Sequence, residues 1–404
     1  MRVSRRTFLA GSASATAAAG LAAACSHVEA DGPVSSSAPE HKDLATAVVG
    51  FDGLRQAGVA TATQAHLNLA AFNLKEGVEK PGILRLLRLW TEDARKLCTG
   101  SAPVGSLEPE MNAWPANLTI TAGIGERVFD LAAPDAKPQW LHDLPAFSRD
   151  RLDPAWGQSD LVLQICSDDP LTCAWALRHM TRAGMDYVRP SWVQQGFMNA
   201  SGSLAEGTTP RNLFGQVDGT VNPRTDEAYE EQVWIDGPGG FAGSTSLVVR
   251  RIAMDLDEWE VLDRRSREVV VGRSLADGAP LTGGGEFAPA DMEAVDDFGL
   301  PVIDKNSHMA RAMPPEDHPE QRFRRRPYNY NLPPEPGSGK LSNAGLIFIA
   351  YQKDPDRQFT PVQARLDEVD RLNTWITHIG SAVYWVPPGA SPSGDAFWGQ
   401  SVMG

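Results

Sequence analysis

Three short stretches of this chain carry side chains whose types and order suit chemistry rather than packing alone. The first is Gly215-Gln216-Val217-Asp218-Gly219-Thr220, a carboxylate set between glycines. Asp-Gly is also ordinary turn chemistry, because glycine accepts positive φ and aspartate bonds its own backbone. As a functional group, Asp218 therefore needs a partner from elsewhere. The second is Asn306-Ser307-His308-Met309-Ala310-Arg311. A lone histidine is more often a surface or core residue than a ligand, yet a neutral imidazole such as His308 is the usual axial ligand of haem iron in peroxidases. Arg311, three residues on, suits a charge-assisted hydrogen bond to a haem propionate.

The third stretch, Arg322-Phe323-Arg324-Arg325-Arg326-Pro327-Tyr328, reads as a solvated basic run if it is exposed. If it is extended, alternation puts Arg325 on the face of Phe323 and turns Arg324 and Arg326 the other way. That parity is a reason to choose Arg325 as the inward residue.

These stretches need a scaffold, and the sequence around them is mixed α and β. Residues 66–72, 118–124 and 161–165 have the alternation or apolar run of strands. A helical pattern covers 83–97, and Asp168-Asp169-Pro170 offers a cap for a helix reaching about residue 182. A similar order follows: a strand at 246–252, a short helix near 257–264 and an apolar strand at 346–351. After Asp354-Pro355 and Thr360-Pro361 a helix is expected through 380. Val362, Leu366, Val369, Asn373 and Ile376 form its stripe, with Asp370 beside it. A carboxylate there suits a capping or structural ion pair, or a bond to the second ring nitrogen of His308. His318 and His378 are alternative ligands, while Trp375, Tyr384 and Trp385 are core aromatics or electron relays. Repeated order predicts a duplicated α+β fold of antiparallel sheets flanked by helices.

The chain has 404 residues, long for one compact domain and comfortable for two. A net charge of −14 argues against a nucleic-acid partner, whose binding face would be basic. The N-terminus pairs Arg5 and Arg6 before a run of Ala, Gly and Ser too short and too weakly apolar to span a bilayer. That is the organisation of a Tat signal peptide over residues 1–30, and Tat export favours proteins folded around a cofactor. Leu21-Ala22-Ala23-Ala24-Cys25 resembles a lipoprotein box, so a lipid anchor on Cys25 stays open. With Cys25 removed or lipidated, Cys98, Cys166 and Cys173 cannot complete a disulfide framework. Residues 31–58 read as a tether, 59–215 as the first half and 216–404 as the second.

Taken together, the motifs resemble the dye-decolourising peroxidase family. Gly215, Asp218 and Gly219 match its Gly-x-x-Asp-Gly signature. Arg211-Asn212-Leu213-Phe214, Asn222-Pro223, Gly272-Arg273, Gly278-Ala279-Pro280-Leu281, the His308 segment, Arg325-Arg326-Pro327-Tyr328-Asn329-Tyr330 and Phe359-Thr360-Pro361-Val362-Gln363 follow in family order. The resemblance implies two ferredoxin-like halves and one non-covalent haem b in the C-terminal half. It implies His308 as axial ligand, Asp218 as distal acid–base group and Arg325 as distal cation. Gly219, Thr220 and Val221 would run along the haem edge. Two positions depart from the family: Ala310 stands where arginine is common, leaving Arg311 as substitute. Met313-Pro314-Pro315 replaces the usual Asn-Pro-Arg, and the histidine-to-arginine spacing of the family leaves Arg326 as a fallback for Arg325.

The implied activity reduces hydrogen peroxide and oxidises bulky phenolic or dye-like molecules one electron at a time. Asp218 would move a proton between the peroxide oxygens while Arg325 stabilises charge on the departing one. A second reading is an exported haem-binding protein that releases iron for uptake. A third, a binding protein without cofactor, leaves the order of Asp218, His308 and Arg325 unexplained.

Overall fold

The computed structural model describes residues 43–404 apart from 238, 393 and 394. The paired arginines, Cys25 and the tether up to residue 42 lie outside the described residues.

Among the described residues nine strands form one antiparallel system: β1 (His66–Leu74), β2 (Thr119–Ile124), β3 (Leu161–Ser167), β4 (Val188–Phe197), β5 (Thr245–Met254), β6 (Arg324–Arg325), β7 (Tyr328–Leu332), β8 (Asn343–Gln352) and β9 (Ile376–Val386). The first four pair in the order β2-β3-β1-β4, and later strands repeat that order as β7-β8-β5-β9, with β6 beside β8. The two sheets join through Ile124 opposite Trp385 and Phe197 opposite Asn329. Eight strands therefore close into a barrel, which leaves neither sheet an open edge of length.

Strand parity divides the core in two. Leu67, Leu69, Leu247, Val249, Tyr328, Ile347, Tyr351 and Tyr384 pack inside the barrel. The intervening residues Phe72, Leu163 and Val383 face outward into a second core, completed by Leu86, Leu87 and Trp90 of the helix Lys80–Cys98 and by Ala176 and Met180 of Pro170–Ala183. Both strand faces are thus buried, which explains the nearly unbroken apolar runs of β1 and β3. A smaller third core of Phe214, Ile252, Trp259, Val271, Leu346 and Leu372 supports the loops that carry the site.

The α+β organisation expected from the sequence holds, with corrections at particular elements. The helix expected through residue 380 runs only over Phe359–Val369. Asp370 stops it, because its backbone leaves the helical region and its carboxylate accepts from Leu372 N–H, starting a 3-10 turn. Residues 376–386 then form β9, whose Ile, Thr and Val content suits a strand. Ile376 and His378 are consequently strand residues, and so are Tyr384 inside the barrel and Trp385 in the outer core. The helix expected near 257–264 is two short ones, Leu256–Trp259 and Arg264–Val271, each capped by an aspartate.

Candidate active site

Arg325 sits on β6 with its backbone opposite Ala350 of β8. Alternation holds, but the face is reversed: Arg324 and Arg326 are buried, while Arg325, expected to point inward, is half-buried on the outer face. Arg326 is fully buried and donates to Thr61 O at 2.5 Å and to Gln64, tying the second half of the chain to the first. The fallback residue is thus outside the site. Arg325 is held by Asn222, whose Oδ1 accepts from Arg325 N–H at 2.8 Å and whose Nδ2 donates to Arg325 O at 2.9 Å. One amide side chain acts here as a strand neighbour would, binding both backbone groups of one residue.

The Asp218 loop is built by its own turn chemistry. Gly215 adopts φ +78°, and Asn212 accepts from Phe214 N–H at 3.0 Å while its Nδ2 donates to Asp218 Oδ2 at 3.2 Å. Arg211 pins the loop to its neighbour by donating to Gly215 O, Leu275 O and Ala276 O at 2.7–2.8 Å. The other oxygen, Asp218 Oδ1, receives Arg325 Nη1 at 2.9 Å. The two groups singled out for proton transfer and charge stabilisation are therefore paired across 107 residues of chain.

His308 opens the short helix His308–Ala312, capped by Ser307, whose Oγ accepts from Ala310 N–H at 3.4 Å. Ser307 packs against Gly272, where an added Cβ would lie 2.8 Å from its Oγ. His308 Nδ1–H donates to Asp370 Oδ2 at 2.7 Å, and Asp370 Oδ1 accepts from Leu372 N–H at 2.9 Å. Asp370 is almost wholly buried, so both its oxygens are committed to fixed donors. Arg371 N–H to Asn306 O at 2.9 Å locks the two segments together. Burial disfavours the charged imidazole, but the charge and hydrogen bond of Asp370 outweigh it and raise the His308 pKa. Arg325 and Asp218 also act on that pKa, in opposite directions, which places them within electrostatic reach of His308.

The residues fit a haem. With Nδ1 committed to Asp370, the His308 ring presents Nε2, which has no hydrogen-bond partner among the described residues. The side chain is 31% exposed, open enough to accept a ligand. Val221, three residues from Asp218, is 67% exposed, an apolar side chain suited to a porphyrin edge. Gly219 adopts φ +136°, and Thr220 Oγ1 donates to Glu286 at 2.9 Å. A single imidazole whose lone-pair nitrogen is open suits an iron brought in by its own macrocycle.

Other expected residues lie elsewhere or act differently. Arg311 donates through Nε to Arg365 O at 3.1 Å and pairs with Glu368 at 2.5 Å, which fastens its helix to Phe359–Val369. His318 is exposed beside Glu320 at 3.1 Å. His378 is buried against the Asp150–Arg250 pair, and burial with the nearby Arg250 charge lowers its pKa to about 3. Sequence reasoning missed the positioning work of Asn212, Asn222, Ser307 and Gly272. All four stood in quoted motif stretches, but no spacing rule ties Asn222 to a residue 103 positions away.

The N-terminal model of the Dyp-type peroxidase family matches residues 56–198 and the C-terminal model matches 209–391. The chain belongs to the Dyp-type peroxidase family. A dye-decolorizing peroxidase of Thermobifida fusca is 35% identical, the match covering 95% of this chain and 94% of that protein. A deferrochelatase of Escherichia coli is 31% identical over 86% of this chain and 85% of its own length. The crystal structure of a DyP-type peroxidase from Cellulomonas bogoriensis superposes with a TM-score of 0.85 at 44% identity, covering 89% of this chain and 99% of that one. The reading of this chain as a Dyp-type peroxidase, an enzyme with haem as its cofactor, stands with its family.

Proposed function

We propose that this Dyp-type peroxidase binds one haem b on the second half of the chain through His308 Nε2 and reduces hydrogen peroxide at Asp218 and Arg325. The observation that carries this reading is the Asp218–Arg325 pair at 2.9 Å within electrostatic reach of the Asp370-held imidazole. When bound, the haem supplies the redox chemistry, accepting two oxidising equivalents from peroxide and returning them singly to reductants.

The chain's own residues do the rest. Asp370 keeps the proton of His308 on Nδ1, so that Nε2 is the lone-pair nitrogen, and its negative charge makes the ring a stronger donor. Asp218 accepts a proton from the nearer peroxide oxygen and delivers it to the farther one, which leaves as water. Arg325 lies against the same carboxylate and stabilises negative charge on the departing oxygen. Asn212 and Asn222 hold these two groups in place during the transfer.

The repeated strand order supports two ferredoxin-like halves as a duplicated unit. We infer bulky phenolic or dye-like reductants, and export by the Tat route on the strength of Arg5-Arg6 and the small-residue run that follows. A lipid anchor on Cys25 belongs to the same proposal. Release of iron from haem is the second reading, favoured by the name deferrochelatase on relatives of 30–31% identity. One experiment separates them: haem-loaded wild type and His308→Ala each receive one equivalent of peroxide, followed by absorption. Rapid conversion in wild type, lost in the variant, supports the peroxidase. Haem binding without response to peroxide moves the iron-release reading ahead, and an unaltered His308→Ala spectrum overturns the ligand.

A further inference from the structure

Beside the Asp218 loop stands a carboxylate that the proposed chemistry does not use. Glu286 follows Gly283 and Gly284, whose φ values of +96° and +87° let the chain turn sharply before it. Its Oε1 accepts two hydroxyls, Thr209 Oγ1 at 2.6 Å and Thr220 Oγ1 at 2.9 Å. Asp218 lies between these threonines in sequence, so one oxygen gathers both ends of the segment that carries it. An ionised carboxylate only accepts, which obliges both hydroxyls to donate to it and fixes their orientation. Hydrogen bonds to a charged acceptor are also roughly twice as strong as neutral ones.

Glu286 is itself anchored. Arg273 Nη1 donates to Glu286 O at 2.9 Å and to Gly278 O at 2.6 Å. Gly278 packs on the residue before Asp218: a Cβ added to that glycine would lie 2.9 Å from Val217 Cβ. Phe287, next in the chain, lies under Arg224, whose guanidinium carbon is 3.5 Å from the ring centroid. The hold passes from Thr209 to Asp218 by two contacts. Asp218 N–H donates to Pro210 O at 2.9 Å, and Pro210 is the neighbour of Thr209. Gly219 lies against Thr209, where an added Cβ would meet Thr209 Cγ2 at 3.2 Å. Where Glu286 fixes Thr209, it therefore fixes the backbone on both sides of the carboxylate.

We propose that Glu286 is a positioning residue for the proton transfer at Asp218, a clasp on Thr209 and Thr220 that does not itself meet peroxide. Without the clasp, segment 209–220 samples more positions, and the Asp218 carboxylate spends less time where it reaches both peroxide oxygens. The inference rests on the assignment of Asp218 to the peroxide step, so Asp218→Asn is measured beside every variant.

Two readouts on the full-length protein test it. One is amide hydrogen exchange over residues 209–222, with and without haem. The other is stopped-flow kinetics of the haem-loaded protein, separating the peroxide step from the later return of oxidising equivalents to a phenol. Glu286→Ala speeds exchange at Asp218 and Asn222 and slows the peroxide step by about tenfold, while the phenol step stays within about twofold of wild type. Glu286→Gln keeps an acceptor oxygen for both hydroxyls and restores exchange and the peroxide rate to within about threefold of wild type. Thr209→Val removes one donor at nearly constant volume; it speeds exchange and slows the peroxide step by about threefold, which keeps the test open if Glu286→Ala does not fold. A wild-type peroxide rate in folded Glu286→Ala or Thr209→Val overturns the clasp. So does equal slowing in Glu286→Ala and Glu286→Gln, which would place the role in the charge, and so does equal slowing of the peroxide and phenol steps. A wild-type rate in Asp218→Asn overturns instead the assignment of Asp218, and the exchange data then decide by themselves whether Glu286 holds the segment.

Discussion

Asn222 and Arg325 meet through two hydrogen bonds of 2.8 and 2.9 Å, both to the Arg325 backbone, so the guanidinium is aimed by a residue that never touches it. Replacing Asn222 with Ala frees the backbone of β6 at that point. The second-order rate constant for peroxide falls by about tenfold, equivalent to roughly 1.4 kcal/mol of transition-state stabilisation, while haem retention is unchanged. Stopped-flow absorption at varied peroxide concentration measures both. A rate within twofold of wild type would show that β6 holds Arg325 without Asn222.

Asp218→Asn keeps the shape of the side chain and its neighbours but cannot take a proton. The expected loss in peroxide reactivity is about a hundred- to ten-thousandfold, with an unchanged resting spectrum. Arg325→Lys keeps a charge near Asp218 and loses the fixed fork, so its loss is smaller than that of Arg325→Leu. Equal rates in Asp218→Asn and wild type would move the proton transfer to another group.

Gly272 ends its helix at φ +87° and faces Ser307 Oγ, the cap of the His308 helix. Gly272→Ala incurs the backbone penalty of roughly 1–2 kcal/mol and a steric push on Ser307. Gly299 has a similar φ of +78° with open space around it. Both alanine variants lower the melting temperature, and Gly272→Ala alone weakens haem binding, by about tenfold on titration. Equal haem affinities in the two would remove the Ser307 contact from the account.

Loss of the Asp370 carboxylate strips a buried acceptor from His308 and from Leu372 N–H together. Asp370→Ala destabilises the cofactor-free protein by about 1–3 kcal/mol. Asp370→Asn preserves an oxygen acceptor and loses the charge, so the haem reduction potential rises while haem is retained. Spectroelectrochemistry reads the potential, and an unshifted value in Asp370→Asn would sever the link between this charge and the ligand.

His378 supplies a pH dependence of opposite sense to a paired histidine. Burial and the neighbouring Arg250 charge depress its folded pKa to about 3, against 6.5 for an ordinary imidazole. The unfolded chain therefore binds the proton first as pH falls. The contribution to stability is complete above about pH 6.5 and disappears progressively between there and about pH 3. Denaturant melts of His378→Leu should show a shallower acid limb over that window. A limb as steep as that of wild type would assign the acid sensitivity to other groups.

Much of this molecule was legible in one dimension because its signals are local. Alternation in 322–328 set Arg325 apart from Arg324 and Arg326, since side chains on an extended chain must alternate whatever they later touch, but it did not say which face would be buried. The strands at 66–72, 161–165 and 346–351 were visible for the same reason, through apolar residues that repeat over a few positions. Where a local signal was ambiguous the reading failed: the apolar stripe from Val362 continued on paper to Ile376. In the folded chain, Asp370 caps a new turn and β9 begins, because pairing with β5 over Thr245–Met254 rewards an extended backbone there.

The sequence by itself nominated the candidate groups and showed the turn that carries Asp218 and the α+β character of both halves. Only the tertiary structure decided which groups meet. Asp218 with Arg325, His308 with Asp370 and Asn222 with the Arg325 backbone lie 107, 62 and 103 residues apart. No periodicity encodes such separations. They arise because closure of two sheets into one barrel brings the loops at one face of the second sheet together, and burial then selects the partners that satisfy each charge.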